Sequence, residues 1–448
     1  MKKVLAILLA GMMTATAFAG CGGSGGDAST ANKDSSAAGN GGSAATAENG
    51  KVDASMFGDE TDIVLKVWAP DKGVSLAKEQ IETFKKMYPD VKFKSIEVVA
   101  QGENDAATQL INDPDKAADV FSFPSDQLNK LDSAEALAPV SKAFVEDLTA
   151  TNAESTIKAA TLKNKDGEDT LYAFPETNDN GYYLVYDKSV VSDEDAQTFE
   201  GLLKACKDNN KEFIMDCGNG FYSCTFAFTA GVVIDGFEED GETQKFKDYD
   251  EDDAVETLMA FAKLMKDYKG TFTSLDPAQI ASGFKNGNLG AGVDGTWNSI
   301  ADKEALGDNF GAAKLPTIKV GDTDKQLISM FGYKYIGVNS HSAFPRAAQI
   351  LAYYLASEEC QTQRAEQIGW GPSNINSQKS DFVSSDPVLV AVAAQSNNAV
   401  PQVNIGGTFW DAFATLGSEF YKDNWKPDDK AATKKLLEQT ISVARDEA

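Results

Sequence analysis

The stretch from Asp62 to Phe93, DIVLKVWAPDKGVSLAKEQIETFKKMYPDVKF, changes its hydrophobic period twice and decides the fold class. Ile63, Leu65 and Val67 alternate with Val64, Lys66 and Trp68, the two-residue repeat of a mostly buried strand. Beyond Pro70, Ala77, Ile81, Phe84 and Tyr88 recur at helical spacing, and Tyr88-Pro89-Asp90 stops that helix. Val91 and Phe93 then open a second strand, and Trp68 and Phe84 read as core. Strand, helix and strand in this order imply an α/β protein with parallel sheets and ligands gathered at the carboxyl ends of the strands. Further on, Ala347, Leu351, Tyr354 and Leu355 mark another amphipathic helix, started by Pro345 and ended near Ser357.

Working outward to the N-terminus, Lys2 and Lys3 form a short positive segment before the interrupted apolar run Val4 to Phe18. That run is too short to span a bilayer and suits a cleaved secretory signal over residues 1–20. It ends in Phe18-Ala19-Gly20-Cys21, which resembles a bacterial lipobox with Cys21 as the lipidated residue. A lipid on Cys21 anchors a chain to the membrane without spanning it. Residues 21–55 then run in Gly, Ser, Ala, Asn and Asp with few large apolar side chains. Such a tract cannot offset its ordering entropy and is expected to be a flexible tether reaching roughly 30 Å. The folded part is expected from Met56 and is long enough for two lobes with separate cores.

The 448 residues carry 68 acidic and 41 basic side chains, a formal net charge of −27. So acidic a surface excludes nucleic acid and anionic lipid headgroups as partners. His341 is the single histidine, which removes His-rich metal sites and Ser-His or Cys-His catalytic pairs. It is expected in a loop before the Pro345 helix. Asp248 to Asp253 lacks the glycine turn and distal Glu of a calcium loop and reads as a capped helix entry. Cys206, Cys217, Cys224 and Cys360 permit three pairings, but buried thiols are the preferred reading. No metal and no cofactor are called for.

Five segments carry a family resemblance: VLKVWAPDKG (64–73), ADVFSFPSDQL (118–128), LYAFPETNDNGYYLVYDKSVV (171–191), ASGFKNGNLGAGVDGTWNSI (281–300) and VPQVNIGGTFWDAF (400–413). In order and spacing, the chain from about Ile63 to its end resembles maltose/maltodextrin-binding members of the extracellular solute-binding protein family 1. The resemblance implies a two-lobe, periplasmic-binding-protein-like α/β fold of type II, with a hinge and a ligand cleft between lobes. Carried over by position, one lobe comprises 56–178 with 335–380 and the other 183–330 with 387–448. It further implies a monomeric, lipid-anchored protein on the extracytoplasmic face, without catalysis, that captures an α-glucan oligosaccharide for the permease subunits of an ABC importer.

A pyranose offers an apolar C–H face to aromatic rings and an equator of hydroxyls to charged and amide groups. By the resemblance, Asp71, Lys72 and Asp126 grip hydroxyls from one lobe, with Phe123 where the family has an aromatic platform. Tyr222, Trp297 and Trp410 match stacking positions of the other lobe. Near the crossover a carboxylate position falls on Asp179 or Asn180, with the register open between them. Asp71-Lys72 also reads as a surface turn, Asp126 as a cap for a helix starting near Gln127, and Trp297 and Trp410 as core. Gln127, Asp411 and Ala414 depart from the family pattern, which leaves chain length and linkage open. Two rivals use the same residues: a glycoside hydrolase, which needs two carboxyl groups across the scissile bond, and a binder of polyamine or peptide.

Overall fold

The computed structural model describes residues 52–238, 243–247 and 250–445. The signal segment 1–20, Cys21 and the tether up to residue 51 lie outside the described residues. The folded part opens slightly ahead of Met56. Asp53 accepts the Ser55 N–H at 2.7 Å and caps a 3-10 turn, Ala54–Phe57, whose Phe57 ring packs edge-on against Tyr88.

The strands β1 (Ile63–Ala69) and β2 (Phe93–Ala100) pair in parallel across helix α1 (Val74–Met87), as the sequence expects. Ile63, Leu65 and Val67 are buried while Val64 faces solvent, the alternation of a pleated strand with one covered face. Phe84 is buried, and Trp68 packs half-buried against the same core. Eight further strands complete the main sheet among the described residues. They are β3 (Val120–Pro124), β4 (Phe174–Asp187), β5 (Glu212–Ile214) and β6 (Phe272–Thr273). After them come β7 (Leu289–Gly295), β8 (Phe310–Ala313), β9 (Ser329–Val338) and β10 (Ala399–Pro401). Their order is β6-β5-β7-β4-β9-β3-β1-β2, with β8 beside β4 and β10 beside β9.

Parallel pairs occupy the two ends: β1 with β2 and β3, and β5 with β6 and β7. Between them β4 and β9 run antiparallel to each other and to their outer neighbours β7 and β3. Two parallel α/β halves therefore meet at one long antiparallel ribbon. Two hydrophobic clusters form the core, one centred on each half. One includes Phe84, Phe121, Phe144 and Tyr335, the other Phe199, Phe226, Phe261 and Phe409. Strand β4, read from sequence as the crossover, feeds both: Phe174 and Tyr183 join the first cluster, Tyr182 and Leu184 the second. The β4–β9 register slips on either side of Lys334, which pairs with Thr177 while Gly332 pairs with Asn180. Such irregularities bend a strand and re-aim its side chains.

Four more helices matter here: α2 (Gly220–Thr229), α3 (Glu251–Asp267), α4 (Pro345–Leu355) and α5 (Phe409–Tyr421). Asp250 caps α3 by accepting the Asp252 and Asp253 N–H groups at 3.1 and 3.2 Å, so the described part of the acidic run, 250–253, is a helix entry, and 248 and 249 lie outside the described residues. His341 lies in the turn before α4, with Nδ1 2.9 Å from Asp115. Cys206, Cys217, Cys224 and Cys360 are buried free thiols, and burial pushes each of them up. Among the described residues no helix is long and apolar enough to cross a membrane.

Helices α2 and α5 touch at Gly220. A Cβ there would lie 2.1 Å from the Trp410 carbonyl oxygen and 2.7 Å from its Cα, both backbone atoms that cannot swing aside. Gly220→Ala is expected to lower stability by about 1–3 kcal/mol, the usual cost of overpacking. Urea denaturation checks this, and an unchanged midpoint would show that the two helices separate freely.

Candidate ligand-binding site

A cavity of about 680 Å³ runs along the seam between the halves. Much of its wall follows directly on strand ends: Asp71 and Lys72 after β1, Asp126 after β3, Asp216 after β5 and Trp297 after β7. Each strand hands over to a short turn, so side chains in those turns point across the sheet edge rather than into either core. The 3-10 turns Asp71–Gly73, Ser125–Gln127 and Thr296–Asn298 do this three times over.

Of the nine residues expected to touch a ligand, seven line this cavity: Asp71, Lys72, Asp126, Asn180, Tyr222, Trp297 and Trp410. Phe123 is a correction. Its ring is fully buried and packs between Phe121 at 5.5 Å and Tyr335 at 5.9 Å, so it is core and not a platform. Asp179 is the second correction. Neighbouring strand residues point to opposite faces, so Asn180 reaches the cleft while Asp179 lines a separate hollow and accepts the Gly371 N–H at 2.5 Å. Burial pushes the Asp179 carboxyl up. Asp126 does not cap the helix Leu128–Ser133, which has no side-chain cap. Trp410 faces the cavity while its neighbours Phe409 and Phe413 fill the core, and Trp297 likewise lies at the surface of the second cluster.

The floor is aromatic. Phe221, on α2, stands at its centre, 5.9 Å from Trp297, 6.3 Å from Trp410 and edge-on to Tyr182 at 5.1 Å. The Trp297 indole folds back over Gly295, where a Cβ would come within 2.1 Å of the ring. Only a glycine leaves room for that close approach. On the facing wall Trp370 lies under the Lys334 ammonium at 4.5 Å, a cation–π contact.

The polar groups form two connected sets. Asn180 Nδ2 donates to Gln402 Oε1 at 2.7 Å, and Gln402 Nε2 donates to Asp126 Oδ1 at 2.9 Å. Gln127 Nε2 donates to Asp126 Oδ2 at 2.8 Å. Desolvation pushes the Asp126 carboxyl up to about 6, even though its side chain keeps some surface toward the cleft. In the second set Lys334 Nζ lies 2.9 Å from Glu103 Oε2, and Glu103 accepts from Ser122 Oγ at 3.0 Å. Burial alone would lower the Lys334 ammonium, but Glu103, Asp179 and Glu176 outweigh it and hold it above its ordinary value. Across the cleft, Lys72 Nζ donates to the Trp297 carbonyl at 2.5 Å and to Asn298 Oδ1 at 3.2 Å. Burial lowers the Lys72 ammonium, offset in part by Asp294 and Asp302.

Sequence reasoning missed Phe221, Trp370, Glu103, Lys334 and Gln402, all of which line the cavity. The available signal was a lysine inside the apolar strand SMFGYKYIGV, since a charge in such a run is buried only with partners.

Two α/β halves, an antiparallel ribbon between them, and a cleft with an aromatic floor and a polar rim define a two-lobe solute-binding protein. Residues 79–391, well over half of the chain, match the model for bacterial extracellular solute-binding proteins, and the chain belongs to that family. Its members are binding proteins, and the family's place of work is extracytoplasmic. The maltodextrin-binding protein MalE1 of L. casei BL23, solved without ligand, is 26% identical with a TM-score of 0.72 over 86% of this chain and 100% of its own. A maltotriose-binding protein of Thermus thermophilus, solved with maltotriose, is 19% identical with a TM-score of 0.69 over 85% of this chain and 99% of its own, a likeness of fold. The galactooligosaccharide-binding protein of Bacillus subtilis (strain 168) is 24% identical over 376 residues, 80% of this chain and 83% of its own.

The Lys334–Glu103 pair generates a prediction. Lys334→Met strands a carboxylate whose side chain is only 15% exposed, and removing one partner of a buried pair costs about 3–5 kcal/mol. Lys334→Met with Glu103→Gln is expected to regain most of it. Thermal unfolding of both variants checks this, and equal losses would show that the pair itself contributes little.

Proposed function

We propose that this cleft captures a maltodextrin-type oligosaccharide, an α-glucan of three or more units, and delivers it unhydrolysed to the permease subunits of an ABC importer. The observation that carries the reading is the Phe221-centred floor with Trp297 and Trp410 facing amide and carboxylate groups across a sugar-sized gap. Rings cover C–H faces while Asp71, Asp126, Asn180 and Gln402 suit hydroxyls. The relative at 26% identity that is named for maltodextrin binding supports the same choice. In this reading the lobes are 56–178 with 335–380 and 183–330 with 387–448. The protein works as a monomer held to the outer face of the bacterial membrane by a lipid on Cys21.

Calorimetry tests the ligand: maltotriose is expected to bind with a Kd in the micromolar range or below, about −8 kcal/mol or better. No heat with any α-glucan, together with heat from galacto-oligosaccharides, would move the assignment to another sugar. Trp297→Ala is expected to cost about 1–3 kcal/mol of sugar affinity, the worth of one aromatic stacking platform, and to leave the unliganded melting temperature nearly unchanged. Incubation with maltoheptaose is expected to yield no shorter products, and their appearance would make the protein a hydrolase. A second reading has its own observation: Asp71, Glu103, Asp126, Asp216 and Asp276 outnumber Lys72 and Lys334 on the cavity wall, which suits a polyamine. Spermidine in the same calorimeter separates the two.

A further inference from the structure

Behind the Trp297 turn two carboxyl groups face each other without reaching the cavity. Asp294 lies near the end of strand β7 and Asp302 on the helix Ser299–Leu306, and neither has exposed surface. Asp294 Oδ1 accepts the Gly295 N–H at 2.6 Å and Asn298 Nδ2 at 2.8 Å, while Asp302 Oδ2 accepts the Tyr183 hydroxyl at 2.9 Å. The other two oxygens, Asp294 Oδ2 and Asp302 Oδ1, are buried and have no donor from elsewhere in the described residues. Asp302 lies close enough to Asp294 for its charge to push the Asp294 carboxyl up. Two buried carboxylates so placed resist ionising together.

The surroundings of the pair are few. Tyr183 faces it from β4, Tyr222 from α2 and Asn298 from the turn between the two residues. Lys72 faces it from the opposite half, with Lys334 beside Lys72. The Lys303–Asp386 ion pair lies beyond Tyr183, and Asp216 and Asp276 lie beyond Tyr222. A hydrogen-bonded path therefore runs from the Lys72 ammonium through Asn298 to Asp294.

We propose that the singly protonated Asp294–Asp302 pair is the counter-charge for Lys72 and the support of the Trp297–Asn298 turn, so that cleft closure is linked to the protonation of this pair. The inference rests on the reading that the cleft closes around its ligand. Burial pushes Asp302 up to about 6 and Asp294 well above the usual carboxylate range. Above about 6 the pair carries one negative charge toward Lys72, and below it a second proton removes that charge. Opening withdraws Lys72, so the closed form binds the second proton less tightly than the open form. Closure then releases protons, and ligand affinity rises with pH through this window before levelling off.

The experiment is maltotriose calorimetry from about pH 5 to about pH 7.5 on the wild type, Lys72→Met and the double variant Asp294→Asn with Asp302→Asn. The wild type is expected to gain roughly three- to tenfold in affinity across the range, since one pKa unit corresponds to tenfold. Both variants are expected to show a flatter profile. Asp126→Asn is measured beside them, because Asp126 titrates in the same window from the facing wall. A double variant that keeps the wild-type slope would overturn the proposal. Thermal unfolding without ligand provides an arm independent of the sugar. A raised carboxyl pKa makes stability fall as pH climbs from the unfolded carboxylate range toward the folded value. Without Lys72 that fall should steepen, and without the two carboxyls it should flatten. If no α-glucan binds at any pH the sugar reading fails, while unchanged unfolding slopes in both variants sink the Lys72 pairing.

Discussion

Burying an ammonium group costs several kcal/mol unless carboxylates and rings take the place of water. Lys334 meets that demand at the middle of the molecule. It sits where the β4–β9 register slips, pairs with Glu103 at 2.9 Å, lies over Trp370 at 4.5 Å, and has Asp179 and Glu176 close enough to raise it. Those partners come from the helix Glu103–Asn112, from β4 and from the chain that returns near Gly371. One charge therefore ties together the segments that cross between the halves. The slip is what aims Lys334 at the cleft. In an ideal ladder a strand buried on both faces would carry only apolar side chains.

The cleft is built unevenly on its two sides. One wall is a set of rings that already touch one another, Phe221, Tyr222, Trp297 and Trp410, seated on α2, α5 and the turn after β7. The other is a set of polar groups on short turns after β1 and β3, joined by Gln402 and Asn180. Rings that pack against each other lose little freedom when a ligand covers them, whereas charged groups in turns must be brought to it.

The fold was legible because its signals are local. The period change between Ile63 and Tyr88, the Tyr-Pro-Asp stop and the long run from Leu171 to Val191 each report on residues next to one another. Asp71, Lys72 and Trp297, named by the resemblance, do follow directly on strands and line the cavity. Phe123 was placed by resemblance alone, and because all five residues of Val120–Pro124 are buried, no alternation was there to tell one face from the other. Asp179 and Asn180 could not be separated because their facing depends on the pairing of β4 with β9, more than a hundred residues apart. Gln402 and Glu103 depend on contacts of comparable span and Trp370 on its contact with Lys334, so no local pattern announces them.

The same division of labour orders the binding event. In the proposed reading a sugar lies on the aromatic wall while the lobes are apart, since Phe221, Trp297 and Trp410 all belong to one side. In that reading Lys72, Asp71 and Asp126 reach it only when the other side swings in, with Lys72 bonded to the Trp297 carbonyl and Asn298 as it is here. Stacking would set whether a ligand stays long enough for closure, and the polar wall would set how slowly the closed form reopens. An aromatic substitution and a Lys72 substitution should thus differ in kind. The first weakens the encounter with either lobe arrangement, and the second leaves docking intact while shortening the life of the closed complex.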